Sequence, residues 1–352
     1  MDDVTDDRPR AAGDGDRTLM HREAAEAADA VARMLAANRQ TFADLGARLR
    51  ANPPAVVVTC ARGSSDHAAT YGKYLIETML GVPVASAAPS VSSVYAAPVA
   101  QGAAIVIAVS QSGRSPDLLA TVAAYRAAGA QVVALVNDEG SPLAGTADVV
   151  IGLKAGPERS VAATKSYICA LVAFAAITAA WSQDRALADA VDTLPDMLTL
   201  AFGLDWSSVV DALADARNLF VIGRGYGFGV AQEAALKLKE TCALHAEAFS
   251  AAEVRHGPMA IVGEGFPILA FATSDQAGDG VREAAADFAQ RGAMICLADA
   301  GADAIPTALA THPAIEPILM IQSFYRMANQ LSLHRGLDPD APRHLSKVTR
   351  TV

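Results

Sequence analysis

Short uninterrupted runs of apolar residues, each followed by a stretch of helical periodicity, restrict the fold of this chain more than any other feature of it. Such runs cover residues 55–60, 104–109, 132–136 and 149–153, with helical stretches at 66–80, 116–128 and 163–182. A strand that is apolar on both faces must be covered on both, so the alternation predicts a parallel sheet between helices. The pattern then restarts: runs at 219–223, 268–272 and 294–297 alternate with helical stretches at 229–242, 279–291 and 316–335. The restart carries an echo about 160 residues later, the signature of an internal repeat. Val57-Val-Thr-Cys-Ala-Arg-Gly63 leads into a helix ending Leu75-Ile-Glu77, and Phe220-Val-Ile-Gly-Arg-Gly225 into one ending Leu238-Lys-Glu240. The reading is two homologous α/β units, 18–195 and 196–335, after a charged start at 1–17 that is expected to be disordered and before a tail at 336–352.

Composition narrows the function. A net charge of −10 with no long basic run argues against nucleic acid as a partner. Cys60, Cys169, Cys242 and Cys296 are scattered without Cys-x-x-Cys or zinc spacing, which predicts buried free thiols in a reducing compartment and no metal site. The start Met-Asp-Asp-Val-Thr-Asp-Asp-Arg lacks the basic then apolar order of a signal peptide. The longest apolar stretch, 168–181, is too short to span a bilayer and reads as a buried helix, so no membrane partner and a cytoplasmic location are expected.

The stretch Glu233-Ala-Ala-Leu-Lys-Leu-Lys-Glu240 carries the densest chemistry. On a helix Glu233, Lys237 and Glu240 stand at i, i+4 and i+7 and share one face. His245-Ala-Glu247 and Arg255-His256-Gly-Pro258 follow closely. An acid, a base and a charge stabiliser held together serve proton transfer on a small polar substrate, although a solvated, ion-paired helix face would give the same pattern. Ligands of open parallel sheets bind beyond the carboxyl ends of the strands. There stand Ser110-Gln-Ser-Gly-Arg-Ser115, ahead of a helix opened by Pro116-Asp117, and Gly63-Ser-Ser65. Hydroxyls, a permissive glycine and a helix N-terminus make an anion cradle, to which Arg114 would add charge. No Gly-x-x-x-x-Gly-Lys-Ser/Thr occurs, and the glycines of Gly223-Arg-Gly-Tyr-Gly-Phe-Gly229 are spaced by two, unlike a dinucleotide loop.

Ser110-Gln-Ser-Gly113, Ala162-Ala-Thr-Lys165, Glu233 to Glu240, His245-Ala-Glu247, His256-Gly-Pro258 and Asp340-Ala-Pro-Arg-His-Leu-Ser-Lys347 together resemble the sugar isomerase (SIS) family, in particular the isomerase half of glutamine–fructose-6-phosphate aminotransferase, from about residue 20 to the C-terminus. The resemblance implies an α/β fold of two tandem SIS units, each a five-stranded parallel sheet sandwiched by helices. It implies a phosphate loop at Ser110, Gln111, Ser112 and Ser115, with Ser64, Ser65, Val161 and Ala163 lining the sugar. Glu240 resembles the carboxylate that shuttles a proton between C1 and C2, and Glu233 and Lys237 its supporting pair. His256 resembles the ring-opening histidine, which serves the neighbouring subunit's site, and Lys347 the tail lysine that meets the substrate carbonyl. His245 is expected to be structural. The implied partners are a hexosamine or hexose 6-phosphate and a second copy in a homodimer with shared sites; no cofactor is implied.

Three positions depart from the family. Ala163 stands for a serine, Arg62 for a cysteine, and Arg114 for a glutamate, the last making the serine loop more positive. The family's glutaminase domain, with its nucleophilic N-terminal cysteine, has no counterpart in the sequence, which opens Met-Asp-Asp. The expectation is therefore the reverse chemistry, glucosamine 6-phosphate to fructose 6-phosphate and ammonia. Ammonia-dependent synthesis, plain hexose-phosphate isomerisation and a non-catalytic phosphosugar sensor are the alternatives.

Overall fold

The computed structural model describes residues 18–347 apart from 103, 303 and 305, so the start at 1–17, expected to be disordered, lies outside the described residues, as does 348–352. Two helices, α1 (Leu19–Ala25) and α2 (Ala27–Ala51), precede the first unit. That unit runs β1 (Val56–Cys60), α3 (Ser64–Leu80), β2 (Val84–Ser86), α4 (Pro89–Ser93), β3 (Ala104–Ser110), α5 (Pro116–Ala127), β4 (Gln131–Val136), α6 (Pro142–Thr146), β5 (Val149–Gly152) and α7 (Lys165–Ser182). Helices α8 (Arg185–Gly203) and α9 (Ser207–Leu213) lead to the second: β6 (Asn218–Gly223), α10 (Phe228–Cys242), β7 (His245–Ser250), β8 (Pro267–Ala272), α11 (Gln276–Gln290), β9 (Met294–Asp299) and α12 (Glu316–His334). Residues 195 and 196 both lie inside α8.

Every strand pair is parallel. The first sheet has the order β2-β1-β3-β4-β5 and the second β7-β6-β8-β9. The second therefore has four strands among the described residues rather than five; where a fifth would pair, a single parallel bridge joins Asp299 to Thr307. Alternation in the strands decides the layering. Val57, Ile105, Ile107, Val221 and Leu269 point into one core shared by both units and built around α2, α3, α7, α10 and α12. Val58, Val106 and Ala108 turn to the opposite face against Leu118 and Val122 of α5. Ile222, Ile268 and Ala270 do the same against Val281 and Phe288 of α11.

Helix α7 is long and apolar enough to cross a membrane, yet 89% of it is buried in the shared core. The expected buried helix is therefore α7, extended at both ends. All four cysteines are buried free thiols, as their scattered placement predicted. The two units meet closely where α10 crosses α3: a Cβ on Gly229 would lie 2.5 Å from the carbonyl oxygen of His67, so only glycine permits this approach. The closeness matters because it brings the start of α3, in the first unit, against the acidic face of α10, in the second.

Candidate active site

The carboxyl ends of β1 and β3 open into a cavity of about 380 Å³. Ser64 and Ser65 reach it as the first turn of α3, directly after Gly63, whose φ of +54° breaks the chain out of β1. Ser110, Gln111, Ser112 and Ser115 reach it from the turn between β3 and α5. Within that turn the Gly113 N–H donates to Ser110 Oγ at 2.9 Å. Gly113 has φ +64°, and a Cβ there would collide with Ser141, so the tight turn requires glycine. Val161 and Ala163 line the cavity from the segment ahead of α7, and Leu345, Ser346 and Lys347 from the C-terminal arm.

Glu240 enters from the second unit as the cavity-lining end of the acidic face of α10. Its carboxylate accepts from Lys237 Nζ at 2.5 Å, and Lys237 also reaches Glu233 Oε1 at 3.4 Å. The face expected from the i, i+4, i+7 spacing is thus a charged ladder and not a solvated surface. Side-chain exposure falls from 21% at Glu240 to 1% at Lys237 and 0% at Glu233. Burial alone would drive the Lys237 amine toward neutrality, but the two carboxylates outweigh it and hold its pKa above the usual lysine value. Lys237 is therefore a fixed ammonium, available to steady Glu240 and unsuited to act as a nucleophile. Glu233 closes the ladder by accepting from Ser64 Oγ at 3.0 Å and from the Tyr325 hydroxyl at 3.2 Å, with His67 Nδ1 at 3.0 Å. Ser64, a wall of the cavity, is in this way tied to the helix that carries Glu240.

Of the thirteen site residues expected from the sequence, ten line the cavity: Ser64, Ser65, Ser110, Gln111, Ser112, Ser115, Val161, Ala163, Glu240 and Lys347. Glu233 and Lys237 stand behind it. His256 does not line it; it lies exposed between two short 3₁₀ turns, Glu253–Arg255 and Pro258–Ile261. His245 is exposed at the start of the edge strand β7. Arg114 corrects an expectation: its guanidinium pairs with Asp138 at 2.7 Å and does not line the cavity, so it adds little positive potential to the serine loop. Arg62 does line it, its Nε and Nη2 held by the buried Asp117 at 2.8 and 2.6 Å.

Sequence reasoning missed His67 and Tyr325, which hold Glu233, and Glu158, which meets Lys347 Nζ at 3.3 Å. A faint signal existed for each. His67 falls one helical turn after Ser64, Tyr325 interrupts an apolar helix with a hydroxyl, and Glu158 is a lone acid close before Ala162-Ala-Thr-Lys165.

The model of the SIS domain matches residues 55–180 and again 212–333. The chain belongs to the SIS domain family. The glutamine–fructose-6-phosphate aminotransferase of Symbiobacterium thermophilum is 34% identical over 330 residues, covering 87% of this chain and 54% of that protein. The same enzyme of Aeropyrum pernix is 34% identical over 308 residues, covering 81% and 49%. The chain thus spans about half the length of the curated relatives it matches, and the similarity falls on their isomerase domain. Among solved structures, a Silicibacter pomeroyi protein described provisionally as a phosphosugar isomerase is 44% identical, with a TM-score of 0.87 over 92% of this chain and all of that one. The C-terminal domain of the Francisella tularensis aminotransferase, at 24% identity, shares the fold with a TM-score of 0.83 over 94% of this chain and all of that one.

Proposed function

We propose that this SIS protein is a phosphosugar aldose–ketose isomerase that deaminates a hexosamine 6-phosphate, converting glucosamine 6-phosphate and water to fructose 6-phosphate and ammonia. What carries the reading is that one cavity is faced by an anion cradle, the Glu240 carboxylate and the Lys347 amine together. A volume of about 380 Å³ suits a single sugar phosphate.

In this reading the phosphate sits on the Ser110–Ser115 turn and the N-terminus of α5, where hydroxyls, N–H groups and the helix dipole favour an anion. Glu240 takes the proton from C2 of the open-chain sugar and returns it to C1. The enolamine between these steps becomes the C2 imine, and water then cleaves that imine to ketone and ammonia. Lys237 steadies Glu240 as a carboxylate ready to accept the proton. Lys347 donates to the sugar oxygen on which negative charge develops. The similarity to aminotransferase isomerase domains supports the choice of an amino sugar. We also propose that ring opening falls to His256 of a second copy, since this residue is exposed and does not face the cavity of its own chain.

The test is an ammonia-release assay across the hexosamine 6-phosphates, run also with fructose 6-phosphate plus ammonium and with glucose 6-phosphate alone. Release from at least one epimer is expected. Binding of these sugars without turnover of any would overturn the enzyme reading in favour of a sensor. Interconversion of the nitrogen-free sugars alone would overturn the deaminase assignment. A rate that is measurable only from fructose 6-phosphate would make the protein a synthase.

A further inference from the structure

We propose that Glu158 is the positioning residue of the C-terminal arm, its buried carboxylate seating Lys347 as an ammonium over the cavity. The Glu158 side chain is 0% exposed and sits in the segment between β5 and α7. It does not line the cavity, whereas Lys347 does, so whatever Glu158 contributes passes through the lysine. The carboxylate accepts from Thr164 N at 3.0 Å, Ser166 N at 3.2 Å and Ser166 Oγ at 2.6 Å, all at the start of α7. Burial opposes the charge, yet Lys347 and these donors outweigh it and hold the carboxyl below the usual range.

A second set of contacts shows that the pair belongs to a closed ring of attachments. Asp340, on the arm, accepts from the Leu19 and Met20 N–H groups at 2.6 and 2.7 Å and so pins the arm to the start of α1. Glu23, on the same helix, accepts from the Arg159 and Ser160 N–H groups at 2.5 and 3.1 Å and pins the segment that carries Glu158. Helix α1 therefore holds both partners, and the Lys347–Glu158 pair closes the ring. Charged groups near the pair include Glu240 and Arg62, which line the same cavity, Glu23, which interacts with Glu158, and Lys165, which pairs with Glu26. An ammonium held from behind by a carboxylate keeps its remaining N–H donors for whatever lies in front. Lys347 would then steady a substrate oxygen by hydrogen bonding. This last consequence rests on the isomerase reading; the seating of the arm does not.

The test uses the full chain with Glu158→Gln, Glu158→Asp and Lys347→Met. Without ligand, amide exchange in the arm, 338–347, should speed up about tenfold in Glu158→Gln and Lys347→Met while the rest of the molecule keeps its rates. Glu158→Asp, which keeps the charge, should recover part of the protection lost in Glu158→Gln. With a turned-over substrate, Glu158→Gln should lower kcat more than it changes KM, and Glu158→Asp should restore part of kcat. Arm exchange within twofold of the parent in Lys347→Met, or in a folded Glu158→Gln protein, would overturn the proposal. This readout needs no substrate, so it judges the proposal even where the isomerase reading fails.

Discussion

Replacing Lys237 by Met is the sharpest probe of the charged ladder on α10. Met keeps most of the volume of the lysine stem, so the cavity it leaves is small and the charge is the main thing removed. Glu233 is 0% exposed and would lose its ammonium, while Glu240, at 21%, would still reach solvent. Removing one partner of a buried ion pair costs ~3–5 kcal/mol, because the other charge stays behind uncompensated. Ser64, Tyr325 and His67 still surround the Glu233 carboxylate, which argues for the lower end, ~3 kcal/mol. At ~2 °C per kcal/mol for a chain of this size, the melting temperature should fall by ~6 °C. The assay is urea unfolding with thermal melting beside it, on Lys237→Met, Glu233→Gln and the double variant. The double should be more stable than the sum of the two losses, since removing both charges leaves no fully buried charge uncompensated, Glu240 being partly exposed. A loss below ~1 kcal/mol in Lys237→Met, or strict additivity in the double, would refute the claim that Lys237 compensates a buried charge.

Three further outcomes follow from the same geometry. Glu240→Gln should lower kcat by about 10²–10⁴-fold with sugar-phosphate affinity kept within about twofold, measured by turnover and calorimetry, because the proposed function puts the anion on the serine turn and not on Glu240. Mixing inactive His256→Ala and inactive Glu240→Gln proteins should restore activity if two copies share sites, and a mixture as inactive as its components would leave His256 without that role. Glu158 has a depressed carboxyl pKa in the folded state, so its stabilisation is present above the ordinary glutamate value of 4.5 and fades as the pH falls through the lowered one. Melting temperatures between pH 6 and pH 3 should therefore fall more steeply for the parent than for Glu158→Gln.

Much of this was legible in the sequence because it is periodic or local. Strands β1, β3 and β4 are nearly wholly buried and so read as unbroken apolar runs. The ladder lies on one helix, where spacing alone fixes which residues face each other. What escaped was either short or distant. Strand β2 has only three residues, and β7 is an edge strand whose alternating exposed positions made His245-Ala-Glu247 look like a motif rather than a strand. The partners of Glu233 lie 166 residues away at His67 and 92 away at Tyr325, and Glu158 lies 189 from Lys347. No local pattern encodes such pairs; they exist because Gly229 lets α10 approach α3 and because α1 gathers the arm. Arg114 misled for a related reason. Its position after the serine turn suggested a free cation, and only the fold reveals Asp138 opposite it.

Among the described residues, the two units differ in charge at the place where the first is proposed to hold a phosphate. Strands β3 and β8 occupy the same place in the two sheet orders, and each leads through a short turn into a helix. After β3, the neutral Ser115 stands at the N-cap position of α5 without a side-chain capping bond, and the acid in the first turn, Asp117, is offset by Arg62. After β8, Asp275 caps α11 with a carboxylate, which occupies the positive end of the helix dipole. The adjacent Ser274 gives both its N–H and its hydroxyl to Glu316 at 2.7 Å, and Glu316 is itself 0% exposed. In the second unit an internal acid thus takes up the donors after β8, where the function proposed above puts a phosphate after β3. One sugar phosphate should bind per chain in calorimetry, and Glu316→Gln should lower stability by about 1–3 kcal/mol, the cost of disturbing a buried, multiply bonded carboxylate, without changing that affinity. Two equivalent sites per chain, or an affinity that tracks Glu316, would show that the second unit has kept a working cradle.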